Sequence, residues 1–378
     1  MQNSTLFLAE YLWLTGLYDL ETLLPNSGPL SDQLSQKSIP ITFYKPISYK
    51  STSVSFFNDR FRIPNPIAWG WNLTAILFNI IKIKNNIKSK TDLVITKGLL
   101  NHFASGFACK TLNIPVICHL QDLISNRYIG FMNIFFNIFA KFIPNYIICD
   151  GIHIQKSLGK KNKKKSFVIL NGIKTERYIR NKEFGFKIRN EFKIPLGGYV
   201  IGHVGRMTPW KGQNQLVKAF INYSTQNSNA YLLLIGAPLF DNDDYYNSII
   251  KTLQSYSMAH RVIMPGYRFD LQSMYSAMDL FLYPSLEKDT SPLTLISAIS
   301  SGLPVGVSNI ASLKEIVDKC KQIDTFNPMK SDEIIRIMKK FENNKIRKES
   351  GILNREAGIK YFDISIHGKK MQQVIDLV

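Results

Sequence analysis

The chain has 378 residues, which exceeds one ordinary hydrophobic core and favours two domains. Its composition, with 45% apolar and 20% charged residues, is globular, and no apolar run approaches the roughly 18 residues that a membrane-spanning helix needs. The four cysteines lack metal-binding spacing, which favours a reduced, cytoplasmic protein without a structural zinc site.

The formal net charge of +19 favours an anionic partner, such as a phosphate-bearing substrate or the inner face of a membrane. Lysine codons in AT-rich DNA would produce the same excess without any partner. The segment "GKKNKKK" (159–165) concentrates the charge; such a block is typical of a solvated loop, and near acidic lipid each basic residue adds about 1 kcal/mol. Few aromatic residues are interleaved there, which disfavours nucleic acid as the partner.

Short β-rich segments alternate with amphipathic helices along the chain, a pattern typical of an α/β fold with parallel sheets. The first apolar segment, 4–25, indicates a helix that runs into a strand. Further along this half, strands are predicted over 92–97, 114–120, 145–150 and 167–173, with helices over 98–113 and 129–144 between them.

The alternation restarts after the basic segment, so we place the domain boundary near residues 171 and 172. Ser331 is predicted to cap a helix with acidic residues in its first turn, where the helix dipole favours them, and a last helix is predicted over 364–378. The predicted strands of the second half are 199–207, 230–237, 261–267, 279–285 and 303–309.

The segment "GHVGRMTPWKGQNQLVKAF" (202–220) combines a strand end, a glycine-containing loop and a helix start. Glycine lets the backbone approach a ligand, and a helix N-terminus offers N–H groups to a phosphate. Arg206 supplies a planar cation and Lys211 a point charge. Together they suit a diphosphate; the alternative is an ordinary strand–loop–helix with two exposed bases.

Three further segments accompany the Gly-Arg and Lys-Gly segment above: "DLVITKGLLNHFASGFACKTLNIPVICHLQD" (92–122), "VILNGIKTERY" (168–178) and "YPSLEKDTSPLTLISAISSGLPVGVSNIASLKEIV" (283–317). These four motifs, in this order along the chain, resemble the retaining glycosyltransferases of family 4, which have the GT-B fold. The resemblance covers nearly the whole chain. It implies an α/β architecture of two Rossmann-like domains facing across a cleft: 1–171 for the acceptor, 172–354 for the nucleotide sugar, and a C-terminal helix of about 355–378 that packs back on the first domain.

The resemblance also implies a reaction. A sugar passes from a nucleotide donor, such as a UDP- or GDP-sugar, to a polysaccharide, glycolipid or lipid-linked acceptor, with retention and without metal or other cofactor. Arg206 and Lys211 would neutralise the donor diphosphate as it leaves. The acidic run "DNDD" (241–244) is interpreted as a solvated turn rather than a metal site. The other implied donor contacts are Gly205, Gly212, the backbone of Tyr267 and Arg268, Pro292 and Leu293.

The donor site departs from the family, which has two glutamates eight positions apart. Counting back from Gly302 places Asp289 at the first position, for the sugar hydroxyls, and Ser297 at the second, for the ribose. A neutral hydrogen bond in place of a charged one predicts donor binding weaker by about tenfold. Glu287 is an alternative first glutamate, although it would break the uninterrupted spacing.

His119 closes the strand 114–120 and, by resemblance, contacts the sugar or the acceptor, with Asp122 as the carboxylate that orients it. A structurally satisfied histidine at a strand end is the alternative. His203 has apolar neighbours and is interpreted as structural.

Segments 66–90 and 129–144 have features of interfacial helices, although ordinary packing is the favoured interpretation. The family opens with a central strand and a glycine-rich loop, whereas this sequence opens on the helix. We therefore expect an N-terminal domain without its first strand. This change and Ser297 leave open a second function, a GT-B-shaped binding or partner subunit with weakened or no catalysis.

Overall fold

The computed structural model describes residues 2–51, 53–56, 61–124, 131–238, 243–287 and 289–378. The chain divides into two compact units: unit 1 is Met1–Leu170 with His367–Val378, and unit 2 is Asn171–Ile366.

Unit 1 carries a parallel sheet whose strands β5, β6, β7 and β8 are adjacent in that order. All five residues of β6 are buried, as in a parallel strand covered on both faces. A separate parallel pair joins β1 to β2, and β3 pairs with β4 as an antiparallel hairpin. Within the described part of unit 1, no strand joins β1 to β5. The elements are α1 (Gln2–Thr15), β1 (Thr22–Leu24), α2 (Pro29–Ser35), β2 (Ile41–Phe43), β3 (Ser53–Phe56), β4 (Phe61–Pro64), α3 (Pro66–Asn86), β5 (Val94–Lys97), α4 (Leu99–Leu112), β6 (Val116–Leu120), α5 (Phe131–Phe142), β7 (Tyr146–Cys149), α6 (Ile152–Lys156), α7 (Lys160–Lys163) and β8 (Ser166–Val168).

Unit 2 is built on a six-stranded parallel sheet in the order β11-β10-β9-β12-β13-β14. The central strand β9 is buried at all six positions. The elements are a 3-10 turn (Thr175–Tyr178), α8 (Lys182–Glu191), β9 (Tyr199–Val204), a second 3-10 turn (Pro209–Lys211), α9 (Gln213–Ser224), β10 (Ala230–Ile235), α10 (Asp243–Ser255), β11 (Val262–Ile263), α11 (Leu271–Ala277), β12 (Leu280–Tyr283), α12 (Leu293–Ser300), β13 (Val305–Ser308), α13 (Lys314–Lys319), β14 (Asp324–Phe326), α14 (Ser331–Lys340) and α15 (Asn344–Phe362). The last helix, α16 (Ile364–Ile375), begins in unit 2 and continues into unit 1.

The predicted α/β class with parallel sheets is confirmed, and each predicted strand segment contains an observed strand. Strand β14 escaped prediction because its three residues, Asp-Thr-Phe, carry no apolar run. Strand β8 ends at Val168, earlier than predicted, because the chain leaves the sheet there and Ile173 pairs instead with Asp363.

The chain returns to unit 1 at His367, later than the predicted residue 355, because α15 packs within unit 2. A side chain on Gly358 would place its Cβ 2.6 Å from Ser300 Cα, and Asn354 donates to the Leu303 carbonyl over 2.7 Å. These contacts hold α15 against α12 and the turn that follows it.

The structure bears on three local predictions, at residues 159–165, 331 and 241–244. The basic segment 159–165 contains a helical turn, α7, because Asn162 and Gly159 both donate to Asn137 of α5. Ser331 is the first residue of α14 rather than its cap, which is Lys330. Residues 241 and 242 of "DNDD" lie outside the described residues, and the next two aspartates open α10.

Among the described residues, every helix falls short of the length and hydropathy that crossing a bilayer requires.

Candidate functional site

The loop that follows β9 brings the Gly-Arg pair to the carboxyl end of the unit 2 sheet, where ligands bind in open α/β folds. Gly205 is tightly enclosed: a Cβ there would lie 2.9 Å from His203 Nε2. Arg206 is exposed, and its guanidinium lies 5.7 Å from the centre of the Trp210 ring. Its carbonyl accepts a hydrogen bond of 2.7 Å from Gln213, which ties the loop to α9.

Gly212 is required where the loop enters α9. Its φ is +73°, in the left-handed region, and a Cβ would lie 1.9 Å from the Pro284 carbonyl oxygen. The loop after β9 and the loop after β12 are therefore in backbone contact at this point. Helix α9 starts immediately afterwards at Gln213.

Lys211 and Asp289 form a buried ion pair, with only 7% and 8% of each residue exposed. Lys211 Nζ donates to Asp289 Oδ2 and to the Tyr283 hydroxyl, 2.5 Å away. Asp289 Oδ2 also accepts from the hydroxyls of Tyr283 and Ser285, the latter over 3.1 Å. Burial and the Asp289 charge raise the pKa of Tyr283 well above its usual range, so this phenol remains a donor. Lys211 and Asp289 are therefore ion-paired in the structure, although the predicted partner of Lys211 is the diphosphate and that of Asp289 is the sugar.

The loop 289–292 adopts a strained path that a neighbour stabilises. Ser291 has a φ of +46° and is buried. Asn171 donates its backbone N–H to Ser291 Oγ (2.7 Å) and its side-chain amide to the Ser291 carbonyl (3.0 Å). Pro292 then caps α12, with Leu293 as the first helical residue. In this arrangement Asp289 points inward while Glu287 is exposed.

Ser297 lies on α12 with 2% of its surface exposed. The side chains of Tyr178 and Tyr275, whose ring centres are 6.0 Å apart, lie beside it, and its hydroxyl opposes the rise that burial causes in the pKa of each tyrosine. Tyr275 also donates to the Thr294 carbonyl over 2.9 Å. A cluster of neutral hydroxyls therefore occupies the position for which the resemblance implies a carboxylate.

The loop after β11 exposes Tyr267, with 62% of its surface accessible. Arg268 donates to Asp270 (2.8 Å) and to Glu191 (2.7 Å), and these two carboxylates raise its pKa. The Arg268 guanidinium is thereby held by two carboxylates, and the predicted contact with the nucleotide base involves only the backbone of this residue.

His203 is fully buried in β9, and its Nδ1–H donates to the Leu282 carbonyl over 3.0 Å. Burial lowers its pKa to about 4, so the imidazole is neutral. These contacts agree with its interpretation as a structural residue that links β9 to β12.

In unit 1, His119 is fully buried at the end of β6, and its Nε2 lies 2.5 Å from Asp150 Oδ1. The predicted partner, Asp122, is instead exposed in the loop beyond. Asp150 takes its place because β7 runs parallel to β6 in a register that pairs His119 with Ile148, so the residue after β7 reaches the same edge. Burial lowers the pKa of His119, although the Asp150 charge opposes this shift.

Two more buried groups adjoin this pair. Lys97 is the β5 neighbour of His119, and its ammonium has no hydrogen-bond partner among the described residues. Burial lowers the pKa of Lys97 to about 8. His367 of α16 lies with its ring centre 6.5 Å from that of His119 and donates to the Leu170 carbonyl over 2.8 Å. The carboxyl edge of the unit 1 sheet therefore carries a second concentration of polar groups.

Four members of these groups were not predicted from the sequence: Asp150, Tyr283, Ser285 and Lys97. Each lies at or just beyond the end of a parallel strand, where side chains from several strands converge, and this position is the signal that could have identified them. Among the described residues, no group of three or more His, Cys, Asp and Glu side chains is arranged to hold a metal ion.

Comparisons with known proteins concern the family and the fold of the chain. Residues 186–356 match the family model described as "Glycosyl transferases group 1". The chain is 24% identical over 383 aligned residues to an Escherichia coli UDP-Gal:alpha-D-GlcNAc-diphosphoundecaprenol alpha-1,3-galactosyltransferase, covering 93% of this chain and 90% of that protein. It is 26% identical to a Salmonella typhimurium lipopolysaccharide 1,2-N-acetylglucosaminetransferase over 44% of this chain and 45% of the relative.

Among solved structures, Anabaena HepE in complex with UDP and glucose superposes with a TM-score of 0.82 at 17% identity, covering 100% of this chain and 96% of HepE. Sucrose-phosphate synthase from Thermosynechococcus elongatus gives a TM-score of 0.73 at 17% identity, covering 98% and 91%. Residues 186–356 thus match the glycosyl transferases group 1 family, and the full-length superpositions show that the chain has the GT-B fold.

Proposed function

We propose that this protein transfers a sugar from a nucleotide-sugar donor bound by unit 2 to a polysaccharide or lipid-linked acceptor. The observation that carries the proposal is the convergence of Arg206, Lys211 and Asp289 at the carboxyl edge of the unit 2 sheet, beside the start of α9. A cationic site beside helical N–H groups suits a diphosphate, and the Asp289 carboxylate suits sugar hydroxyls.

The names of similar proteins support the substrate classes. The E. coli relative uses a UDP-sugar and a diphosphoundecaprenol-linked acceptor, and HepE was solved with UDP-glucose. A Staphylococcus aureus relative, 25% identical over 43% of this chain, is named for capsular polysaccharide biosynthesis. We therefore propose a UDP-sugar donor and an acceptor of the lipid-linked or polysaccharide class, reached by peripheral attachment at the cytoplasmic face of the membrane.

In the proposed mechanism, Arg206 and Lys211 stabilise the negative charge that develops on the diphosphate as the bond to the sugar breaks. The acceptor hydroxyl attacks from the face that the diphosphate leaves, which yields retention, and the leaving oxygen takes its proton. The proposed reaction uses no metal, because the two cations supply the compensating charge.

The test is donor turnover by the full chain with UDP- and GDP-sugars, with and without EDTA, and with the product anomer assigned by NMR. Arg206→Ala should lower turnover by at least 100-fold, because one charged contact to the developing anion is lost. Arg336→Ala, an exposed arginine on α14, is the matched control. Equal turnover in both variants would contradict the role of Arg206, an inverted anomer would contradict retention, and loss of activity in EDTA would contradict metal independence.

Ser297 favours a second candidate function, a nucleotide-sugar-binding subunit with weak or no turnover, since neutral hydroxyls stand where a carboxylate is implied. Calorimetric binding of UDP without hydrolysis or transfer for any donor would support this second function. Measurable transfer would exclude it.

A further inference from the structure

Helix α3 exposes large apolar side chains although two of its six buried residues are asparagines. Its inward residues include two asparagines, and each exchanges a pair of hydrogen bonds with one backbone position: Asn72 with Lys50 (2.8 and 2.9 Å) and Asn79 with Ile47 (2.8 and 3.0 Å). Its outward residues are apolar, and Ile67, Leu77, Phe78 and Ile81 are each more than half exposed. A surface helix ordinarily directs polar residues towards water and apolar residues towards the core.

Helix α5 repeats this exposure more simply. Its outward positions follow one helical stripe, and all but one carry apolar side chains: Phe131, Ile134, Phe135, Ile138 and Phe142. The exception is Lys141. The opposite face packs Phe136, Phe139 and Ala140 into the core of unit 1, so the outward stripe is not needed to hold the helix in place.

The two stripes are joined at their edges. Trp69 of α3 stacks on Phe131 of α5 with ring centres 5.3 Å apart, and Phe135 packs on Phe103 of α4 at 4.9 Å. We call the exposed apolar residues of α3 and α5 the apolar face. Exposed apolar residues concentrated on two helices that touch in this way indicate an interaction site.

Cations surround the apolar face. Lys50 lies 4.3 Å from the centre of the Trp71 ring, and Lys141 lies 4.8 Å from that of Phe142. Helix α7, whose lysines are exposed, is seated on α5 by the 2.9 Å hydrogen bond from Asn162 to the Asn137 carbonyl. Helices α3, α4, α5 and α7 contain no Asp or Glu, and unit 1 carries 21 Lys and Arg against nine Asp and Glu.

We propose that the apolar face is a membrane-docking surface that inserts its Phe, Ile, Leu and Trp side chains into the interfacial layer of an anionic bilayer, with the α7 lysines on lipid headgroups. Apolar insertion combined with peripheral lysines is the chemistry that binds helices in the plane of such a surface. A second copy of this chain fits less well, because it would bring two cationic surfaces together. The inference extends the proposed function, since a lipid-linked acceptor would lie in the same membrane.

The experiment is co-sedimentation of the full chain with vesicles of pure phosphatidylcholine and of phosphatidylcholine with 30% phosphatidylglycerol. Wild type should bind the anionic vesicles. Ile134→Ser/Ile138→Ser should lower the partition coefficient by about tenfold for each isoleucine removed. The matched control is Ile352→Ser/Ile359→Ser, which changes two exposed isoleucines of α15 and should bind as wild type does.

The charge contribution is tested by replacing three lysines of α7 with glutamine. Lys160→Gln/Lys161→Gln/Lys163→Gln should lower binding to anionic vesicles about 100-fold, since each lysine near such a surface contributes about fivefold. Lys339→Gln/Lys345→Gln/Lys348→Gln, on exposed positions of unit 2, removes the same charge and should lower binding far less.

Three results would overturn the proposal: no binding of wild type to anionic vesicles, equal loss in the variants and their controls, or a concentration-dependent dimer that Ile134→Ser/Ile138→Ser abolishes. Calorimetric UDP binding on the same preparations separates this proposal from the proposed function. Vesicle binding without UDP binding would contradict the transferase and leave the docking surface supported. UDP binding without vesicle binding would contradict the docking surface and leave the transferase supported.

Discussion

Replacing Lys211 with methionine should destabilise the protein, because it leaves Asp289 buried without its cation. Breaking one partner of a buried ion pair costs about 3–5 kcal/mol. The hydroxyls of Tyr283 and Ser285 still donate to the carboxylate and offset part of this loss, at roughly 1 kcal/mol each. We therefore expect the free energy of unfolding to fall by about 1–3 kcal/mol for Lys211→Met.

The double variant Lys211→Met/Asp289→Leu tests this reasoning. It removes both charges at once, so the free energy of unfolding should return to within about 1 kcal/mol of the wild-type value. Urea titrations followed by circular dichroism give the free energies of unfolding for the cycle of four proteins. A loss below about 1 kcal/mol in Lys211→Met, or a double variant no more stable than the single one, would refute the buried-pair argument.

The same four proteins separate structure from function. If Lys211 neutralises the donor diphosphate, the double variant should bind UDP at least tenfold more weakly than wild type despite its recovered stability. Calorimetry with UDP provides the measurement. Wild-type affinity in a stable double variant would show that the pair is only structural and would refute the role proposed for Lys211.

Three further outcomes are expected. Ser297→Glu should tighten UDP binding by about tenfold in calorimetry, since a carboxylate forms stronger hydrogen bonds to ribose hydroxyls than a neutral group does. Ser297→Gln is the neutral control. Unchanged or weaker affinity in Ser297→Glu would show that this residue does not face the ribose. Burial lowers the pKa of His102 to about 3 and those of His203 and His367 to about 4. Below pH 6.5 these histidines therefore bind protons in the unfolded chain but not in the folded one. The free energy of unfolding from urea titrations should fall steadily from pH 6.5 to 4, by roughly 3 kcal/mol per histidine, and a flat profile would contradict this. Lys97→Met should raise the free energy of unfolding at pH 7 by about 2–3 kcal/mol, because the folded state with its pKa of about 8 binds the proton less tightly than the unfolded state does. The gain should disappear above pH 10.5, where the lysine is neutral in both states. A destabilised variant would indicate that the ammonium has a partner.

The sequence alone determined the α/β class, the positions of strands β5 to β13 and the Gly-Arg and Lys-Gly segment. These features are local, since buried parallel strands read as apolar runs and a loop at φ +73° against the Pro284 carbonyl accepts only glycine. The count back from Gly302 also selected Asp289 over Glu287, and the structure turns Asp289 towards Lys211 while Glu287 is exposed.

Pairings between distant residues required the tertiary structure. His119 pairs with Asp150 rather than Asp122 because strand register, a property of two segments together, decides which carboxylate reaches it. The same limit applies to α3, which is rich in apolar residues all round. Only its neighbours decide that Asn72 and Asn79 turn inward to the backbone of residues 50 and 47, together with Ile76 and Ile83, while Ile67, Leu77, Phe78 and Ile81 face outward. Burial is a relation between elements, and helical periodicity by itself does not specify which face of a helix is buried.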